Sequence, residues 1–251
     1  MSGHSKWKTI QHKKGALDAK RGKIFSKFSK ELMIVAKQGG GNPDSNIALR
    51  TLITKARASN MPMDNIERAV KKGSGELEGM MLEEVVYEGF ASGGVALVIV
   101  ALTDNKKRAA AEIRHIFSRY GSNLATQGSV TRGFKRKGQI LVDAGAASED
   151  KLMEIVLDAG AEDMHLDEGQ FEIITEPPNY LKVVEALEKA GIASTSSEIT
   201  LVPDVYVPLN EKAKASAALR FISDLEDNDD VQNVYTNMDI SDEVLKELEK
   251  E

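Results

Sequence analysis

Apolar positions in the first third of the chain recur at intervals of three and four residues, the period of an amphipathic helix. This pattern predicts a first helix over residues 18–39, ended by a run of three glycines. It also predicts a second helix capped by Asp44 or Ser45, and a third over residues 64–73 that is capped by its first aspartate and stopped by Gly73. Three short helices with apolar faces indicate a small helical bundle.

Beyond a glycine-rich, acidic stretch at 73–79, the pattern changes to that of strands. Strands are predicted at 85–91 and 94–103, and the second is so apolar that both of its faces are expected to be buried. A helix capped by Asp104 or Asn105 follows them. Because two strands and one helix do not complete a sheet, this segment needs further strands from elsewhere in the chain.

The order strand, helix, strand appears twice within residues 139–202, and βαββαβ is the order of a ferredoxin-like unit. The basic segment before it, 132–138, is predicted to be a turn. After the unit, the pattern predicts a strand at 205–209, a helix at 210–225 and a strand at 231–236. We expect these later strands to complete the sheet that begins before the unit.

The elements together predict an α+β fold with an N-terminal three-helix domain and an α/β domain that is interrupted by a ferredoxin-like βαββαβ domain. The predicted boundaries give a basic helical domain with a mobile N-terminal arm at 1–78 and the interrupted domain at 79–131 plus 204–238. The inserted domain spans 132–203, and an acidic C-terminal helix spans 239–251.

Basic residues are concentrated at the start of the chain. Residues 2–37 hold ten lysines and arginines against two acids, a net charge of +8, although the whole chain carries −6. Extended to residue 72 the net charge is +11, and residues 73–251 hold 17 bases against 34 acids. Such asymmetry favours a polyanionic partner at the N-terminal end, because the rest of the chain repels the same partner.

Other kinds of chemistry have little support in the sequence. The chain has no cysteine, its four histidines are scattered, and no nucleophile stands beside a base, so we expect no metal, no cofactor, no catalytic residues and no small-molecule substrate. The longest apolar run, residues 95–102, is too short to span a membrane, and no signal peptide is evident. These features predict a cytoplasmic protein that is not an enzyme.

The predicted partner is therefore a nucleic acid, either DNA or ribosomal RNA, with the ribosome itself as one candidate. Trp7 can stack on a base. For reading bases the third helix offers only Asn65 and Arg68, with Glu67 between them opposing a duplex, and Lys71 and Lys72 follow. A solvated basic face and a membrane-binding helix are the alternatives. The predicted phosphate contacts are Lys6, Lys8, Lys13, Lys14, Lys20, Arg21, Lys23, Lys27 and Lys30.

Five stretches resemble the YebC/PmpR family of bacterial proteins: SGHSKW, KRGKIFSKFSKE, NMPMDNIERAVKKG, YEGFASGGVALVIVALTDNKKR and GSNLATQGSV. The resemblance implies the three domains described above, with no cofactor and no catalytic residue. Members are described as transcriptional regulators that bind DNA, or as ribosome-associated factors that relieve stalling at difficult stretches such as consecutive prolines. The resemblance thus implies regulation of gene expression and leaves both targets open.

The resemblance also implies that the basic N-terminal motif binds nucleic acid, and it adds His12 to the binding residues named above. Three positions depart from the family pattern. Met63 stands where lysine is usual, Ala91-Ser92 where Gly-Pro is usual, and Arg132-Gly133 where an apolar pair is usual. The residues of the motif that are present in this chain are Lys6, Trp7, Lys8, His12, Lys13, Lys14, Lys20, Arg21, Lys23 and Lys27.

Overall fold

The fold is α+β, as predicted, in a computed structural model that describes residues 17–79, 81–167 and 169–249. The chain divides into two compact units. One is the segment Thr131–Tyr206, and the other combines the chain up to Val130 with the chain from Val207 onward. The separation of a distinct helical domain at residues 1–78, and the other domain boundaries, stay predictions.

The N-terminal part is a bundle of three helices, α1 (Leu17–Gly39), α2 (Ile47–Ala58) and α3 (Met63–Ser74). Their buried faces meet in one apolar cluster that includes Leu32, Leu49 and Ile66. Helix α3 approaches α1 very closely at Gly73, where an added Cβ would lie 2.3 Å from the carbonyl oxygen of Met33. Glycine is therefore required inside this helix by packing, although it is an unfavourable helix residue.

The helix caps differ from the prediction. Helix α2 is capped by Asn46, not by Asp44 or Ser45, because the Asn46 carboxamide oxygen accepts a hydrogen bond from the Leu49 amide at 3.1 Å. Helix α3 is preceded by Pro62, so Asp64 lies inside its first turn. It also does not stop at Gly73. The residue that adopts the left-handed conformation after α3 is Gly75, with φ of 85°.

Two strands and a helix follow the bundle: β1 (Glu83–Phe90), β2 (Ala96–Thr103) and α4 (Lys106–Arg119). The strands are antiparallel, and β2 is buried along almost its whole length, as expected. Asn105 caps α4 by accepting hydrogen bonds from the amides of Lys107 and Arg108, both at 3.1 Å.

The inserted segment has the predicted ferredoxin-like order, with strands paired antiparallel as β4-β5-β3-β6. The apolar residues of its two helices pack with Ile140, Val142 and Ile173 of the sheet. Its elements are β3 (Phe134–Asp143), α5 (Glu149–Asp158), β4 (Ala161–Asp167), β5 (Gln170–Thr175), α6 (Tyr180–Lys189) and β6 (Ser194–Pro203).

Strand β3 begins at Phe134, so the basic segment predicted as a turn is mostly strand. Phe134 is buried and lies opposite Pro203 on β6. The lysines that led to the prediction of a turn are each neutralised by an acid. Lys135 pairs with Asp204 at 2.8 Å, and Lys137 pairs with Glu162 at 2.6 Å. Lys137 also donates to Glu176, and the hydrogen bonds that it donates to these two carboxylates raise its pKa.

The last part of the chain returns to the first sheet, because β8 pairs antiparallel with β2 in the order β1-β2-β8. This pairing joins the segments on either side of the insertion. Strand β7 does not enter that sheet. It pairs in parallel with β9, a strand that the sequence pattern did not predict. The elements are β7 (Val207–Leu209), α7 (Lys212–Glu226), β8 (Val231–Thr236), β9 (Met238–Ile240) and α8 (Asp242–Glu249).

No helix in the described part of the chain is both long enough and apolar enough to cross a membrane.

Candidate nucleic-acid interface

The structure describes the predicted binding residues to three different extents. Lys20 and Arg21 lie within the first turns of α1, and the remaining residues from Lys23 onward have described side chains. Six residues of the predicted arm lie outside the described part of the chain: Lys6, Trp7, Lys8, His12, Lys13 and Lys14.

Three of the predicted phosphate contacts on α1 point towards an acidic segment of the same chain. Lys23, Lys27 and Lys30 are spaced four and three residues apart, so they share one face of the helix. Opposite them lies the sequence Glu-Asp-Asn-Asp-Asp at residues 226–230, which we name the acidic loop. All three lysines donate hydrogen bonds to it. The face is therefore occupied by an internal partner.

The three contacts with the acidic loop differ in kind. The Lys23 ammonium lies 3.2 Å from the Asp227 carboxylate, and both side chains are well exposed. Lys27 donates to the backbone carbonyl of Glu226 at 2.9 Å. Burial of the Lys27 ammonium lowers its pKa, and the nearby acids Glu226 and Asp227 oppose that shift only in part.

Lys30 makes the strongest contact, at the buried carboxylate of Asp230. Its ammonium lies 2.7 Å from Asp230 Oδ1, with side chains that are 12% and 5% exposed. The other oxygen, Oδ2, accepts from the Arg108 guanidinium at 2.9 Å and from the Thr103 hydroxyl at 3.0 Å. One carboxylate therefore joins α1 of the bundle to the end of β2 and the start of α4.

The electrostatics of Asp230 fit this role. Burial alone would raise the pKa of the carboxyl group, but hydrogen bonds from Lys30, Arg108 and Thr103 favour the ionised form, and the net shift is downward. The hydrogen bonds that Arg108 donates to Asp230 and Asp104 raise the pKa of its guanidinium. A phosphate that contacts Lys30 must displace this network, so the predicted binding role of Lys30 competes with its structural role.

Helix α3 places its predicted residues on an outward surface. Ile66 and Ala69 are buried in the bundle, whereas Arg68, Lys71 and Lys72 are exposed and Asn65 is half-buried. Within the described residues, none of these three cations forms an ion pair. Asn65, Arg68 and Lys72 are spaced three and four residues apart and share one helix face. Their side chains are thus placed to meet an external anion.

The sequence prediction missed three similar residues on α1 and α2. Lys37, Arg50 and Arg57 are exposed, and in the ranges that the structure covers they have no carboxylate partner. Arg50 and Arg57 are seven residues apart, which puts both on the polar face of α2. That spacing was visible in the sequence and could have identified the pair. We define the outer cations as Lys37, Arg50, Arg57, Arg68, Lys71 and Lys72.

The described residues offer little that suggests other chemistry. In residues 17–79, 81–167 and 169–249, no group of three His, Asp or Glu side chains converges in a form that could hold a metal ion. His165 lies 2.8 Å from the buried carboxylate of Glu172, which also accepts from Gln139 within the sheet of the inserted segment. The outer cations are the feature that points to a ligand.

Comparisons with known proteins find relatives along nearly the whole chain. The family model for the TACO1/YebC N-terminal domain matches residues 5–76, and that for the TACO1/YebC second and third domain matches residues 82–238. A protein of Syntrophobacter fumaroxidans named "probable transcriptional regulatory protein" is 51% identical over 248 residues, which is 99% of this chain and 100% of the relative.

Further relatives are similar at the same level. A protein of the same name from Desulfatibacillum aliphaticivorans is 53% identical, over 98% of this chain and 100% of its own. Among solved structures, the conserved hypothetical protein Aq1575 of Aquifex aeolicus matches with a TM-score of 0.81 and 44% identity. That match covers 92% of this chain and 95% of the Aquifex chain.

Proposed function

Because the chain belongs to the TACO1/YebC family, we propose that it is a nucleic-acid-binding regulator of gene expression, and specifically a transcriptional regulator that binds duplex DNA. The names of its relatives support transcription as the process. The proposal includes a cytoplasmic location and the absence of enzymatic activity.

The observation that carries the proposal is the set of outer cations on the helical bundle. All six are exposed, and among the described residues none of them is neutralised by a carboxylate. The remainder of the chain, residues 73–251, has twice as many acids as bases. A duplex is therefore attracted to one part of the molecule and repelled by most of the rest, so the bundle sets how the protein meets DNA.

Helix α3 is the element that can supply sequence preference. Asparagine and arginine pair with adenine and guanine edges in the major groove, and Asn65 and Arg68 lie one turn apart at the start of α3. Contacts with phosphate, by contrast, position a protein without specifying a base. We propose that Asn65 and Arg68 read bases while Lys71 and Lys72 hold the backbone.

A competition experiment tests this proposal. Purified full-length protein is mixed with genomic duplex fragments and ribosomal RNA at equal phosphate concentration and physiological salt, and the retained nucleic acid is sequenced. We expect a defined subset of duplexes to be enriched. Replacing Asn65 and Arg68 with alanine should abolish that enrichment. The control variant, Lys182→Gln with Lys189→Gln in the inserted unit, should preserve it.

The other outcomes are equally informative. Retention of ribosomal RNA in preference to duplex DNA would replace transcriptional control with a ribosome-associated role in translation. Retention of neither polyanion at low salt would overturn nucleic-acid binding as a whole.

A further inference from the structure

Helix α4 is an unusually basic element of the acidic part of the chain. It holds five of the 17 lysines and arginines found in residues 73–251, and only one acid, Glu112. Three of these five cations are neutralised by neighbours on other segments or at the start of the helix. Lys106 pairs with Glu83, Arg108 with Asp104 and Asp230, and Arg119 with Asp224.

The two remaining cations of α4 point into solvent. Lys107 and Arg114 are exposed, and neither has an ion-pair partner among the described residues. They are seven residues apart, so they share one helix face, about 10 Å apart along the axis. His115 lies beside Arg114 and is also exposed.

The arrangement of α4 keeps carboxylates away from this face. Ile113, Ile116 and Phe117 are buried on the opposite side. The single acid of the helix, the exposed Glu112, lies on the flank, where its carboxylate accepts a hydrogen bond from the Asn228 side chain at 2.7 Å. Ala111 and Ser118 are the uncharged neighbours of Lys107 and Arg114 on this face.

The start of α4 is physically continuous with the bundle that carries the outer cations. The two oxygens of Asp230 are bound by Lys30 from α1 and by Arg108 from α4, at 2.7 and 2.9 Å. These two helices therefore meet at a single carboxylate. The acidic loop lies at this junction with Asp227 and Asp229 exposed, so a duplex that contacts both surfaces spans that loop.

We infer that the outward face of α4, formed by Lys107, Arg114 and His115, is a second phosphate-binding surface for the nucleic acid held by the helical bundle. This inference rests on the proposed function. A duplex carries one charge per ~1.7 Å of axis, so both cations can meet phosphates whatever the sequence. The face would hold the nucleic acid along the α/β body and contribute affinity without sequence preference.

The test is the salt dependence of binding to a random duplex. Replacing both Lys107 and Arg114 with glutamine should reduce the slope of log affinity against log salt by about 1.8, because each phosphate contact contributes about 0.9. Affinity in low salt should fall at least about tenfold by the same relation. Among the described residues neither side chain forms an ion pair that glutamine would break. Circular dichroism and thermal melting should confirm that the variant remains folded.

Two further variants separate the inference from the proposed function. The variant Lys182→Gln with Lys189→Gln removes the same charge from the inserted unit, and the variant Lys71→Gln with Lys72→Gln weakens the proposed interface on α3. If the α4 variant behaves like the first control while the α3 variant binds weakly, the α4 surface is refuted and the proposed function stands. If neither the α3 nor the α4 variant weakens binding, the proposed interface on the helical bundle is itself refuted, and the proposed function with it.

A location experiment adds a second readout. Bound duplex should protect the Lys107 amine from acylation, as measured by peptide mass spectrometry, and should leave Lys182 reactive. Unchanged reactivity of Lys107 in the complex would overturn the second surface.

Discussion

At the scale of single residues, Asp230 and the lysines facing it explain how α1 is joined to the α/β body. Asp230 is 4% exposed and accepts hydrogen bonds from Lys30, Arg108 and Thr103. A buried carboxylate with three donors is strongly sensitive to the loss of any of them, because its remaining charge cannot be solvated by water. Lys27 is different, since burial already disfavours its charged form.

A pair of substitutions tests this difference. Lys30→Met should lower the free energy of unfolding by about 3 kcal/mol, because it leaves a buried charge short of a partner. Lys27→Met should change it by less than about 1 kcal/mol or raise it, because it removes a cation that is costly to bury. Urea unfolding followed by circular dichroism measures both. Equal losses in the two variants would contradict the role given to Asp230.

At the scale of elements, the sequence pattern was a good guide to regular structure and a poor guide to contacts between distant segments. The apolar periods predicted every helix of the bundle and the βαββαβ order, because local amphipathicity reflects burial directly. Strand β9 was missed because it has only three residues, too few to show a period. The start of β3 was missed because its lysines are paired with acids that lie far along the chain.

The cap of α2 shows the same limit. Asn46 was passed over in favour of Asp44 and Ser45, since all three residue types favour a cap. What selects Asn46 is its second function, because its amide nitrogen donates to the carbonyls of Val35 and Gly40 at 3.1 and 2.9 Å. It thus caps α2 and also binds the end of α1, which a local pattern cannot reveal.

Because Asn46 contacts both α1 and α2, substitution of Asn46 should destabilise the fold more than substitution of the neighbouring Ser45. Asn46→Ala should lower the free energy of unfolding by about 2 kcal/mol, because it removes a cap and the two hydrogen bonds that Asn46 donates to Val35 and Gly40. Ser45→Ala should cost less than about 0.5 kcal/mol, as for most exposed positions. Thermal and urea unfolding of the two variants provide the comparison, and a larger loss at Ser45 would show that the cap is assigned to the wrong residue.

At the scale of the whole molecule, the distribution of charge was predicted correctly in the sequence but the roles of the individual lysines were not. Net charge alone does not distinguish a lysine that meets an internal carboxylate from one that faces solvent. Lys23 and Lys30 pair with an acidic loop about 200 positions away, whereas Arg50 and Arg57 remain unpaired within the described residues. The central claim is therefore that the outer cations hold nucleic acid, whereas Lys23, Lys27 and Lys30 face the acidic loop.

The most direct test of that claim is a charge-reversal titration with fluorescence anisotropy. Arg68, Lys71 and Lys72 are replaced together by glutamate in one variant, and Lys151, Lys182 and Lys189 in a second that changes the net charge equally. The account predicts that the first variant loses binding to a labelled duplex at physiological salt, with a salt slope shallower by about 1.8 from the two lost phosphate contacts of Lys71 and Lys72. The second should bind within about twofold of the unaltered protein, since its lysines lie outside the proposed interface. Equal loss of affinity in both variants would contradict the account.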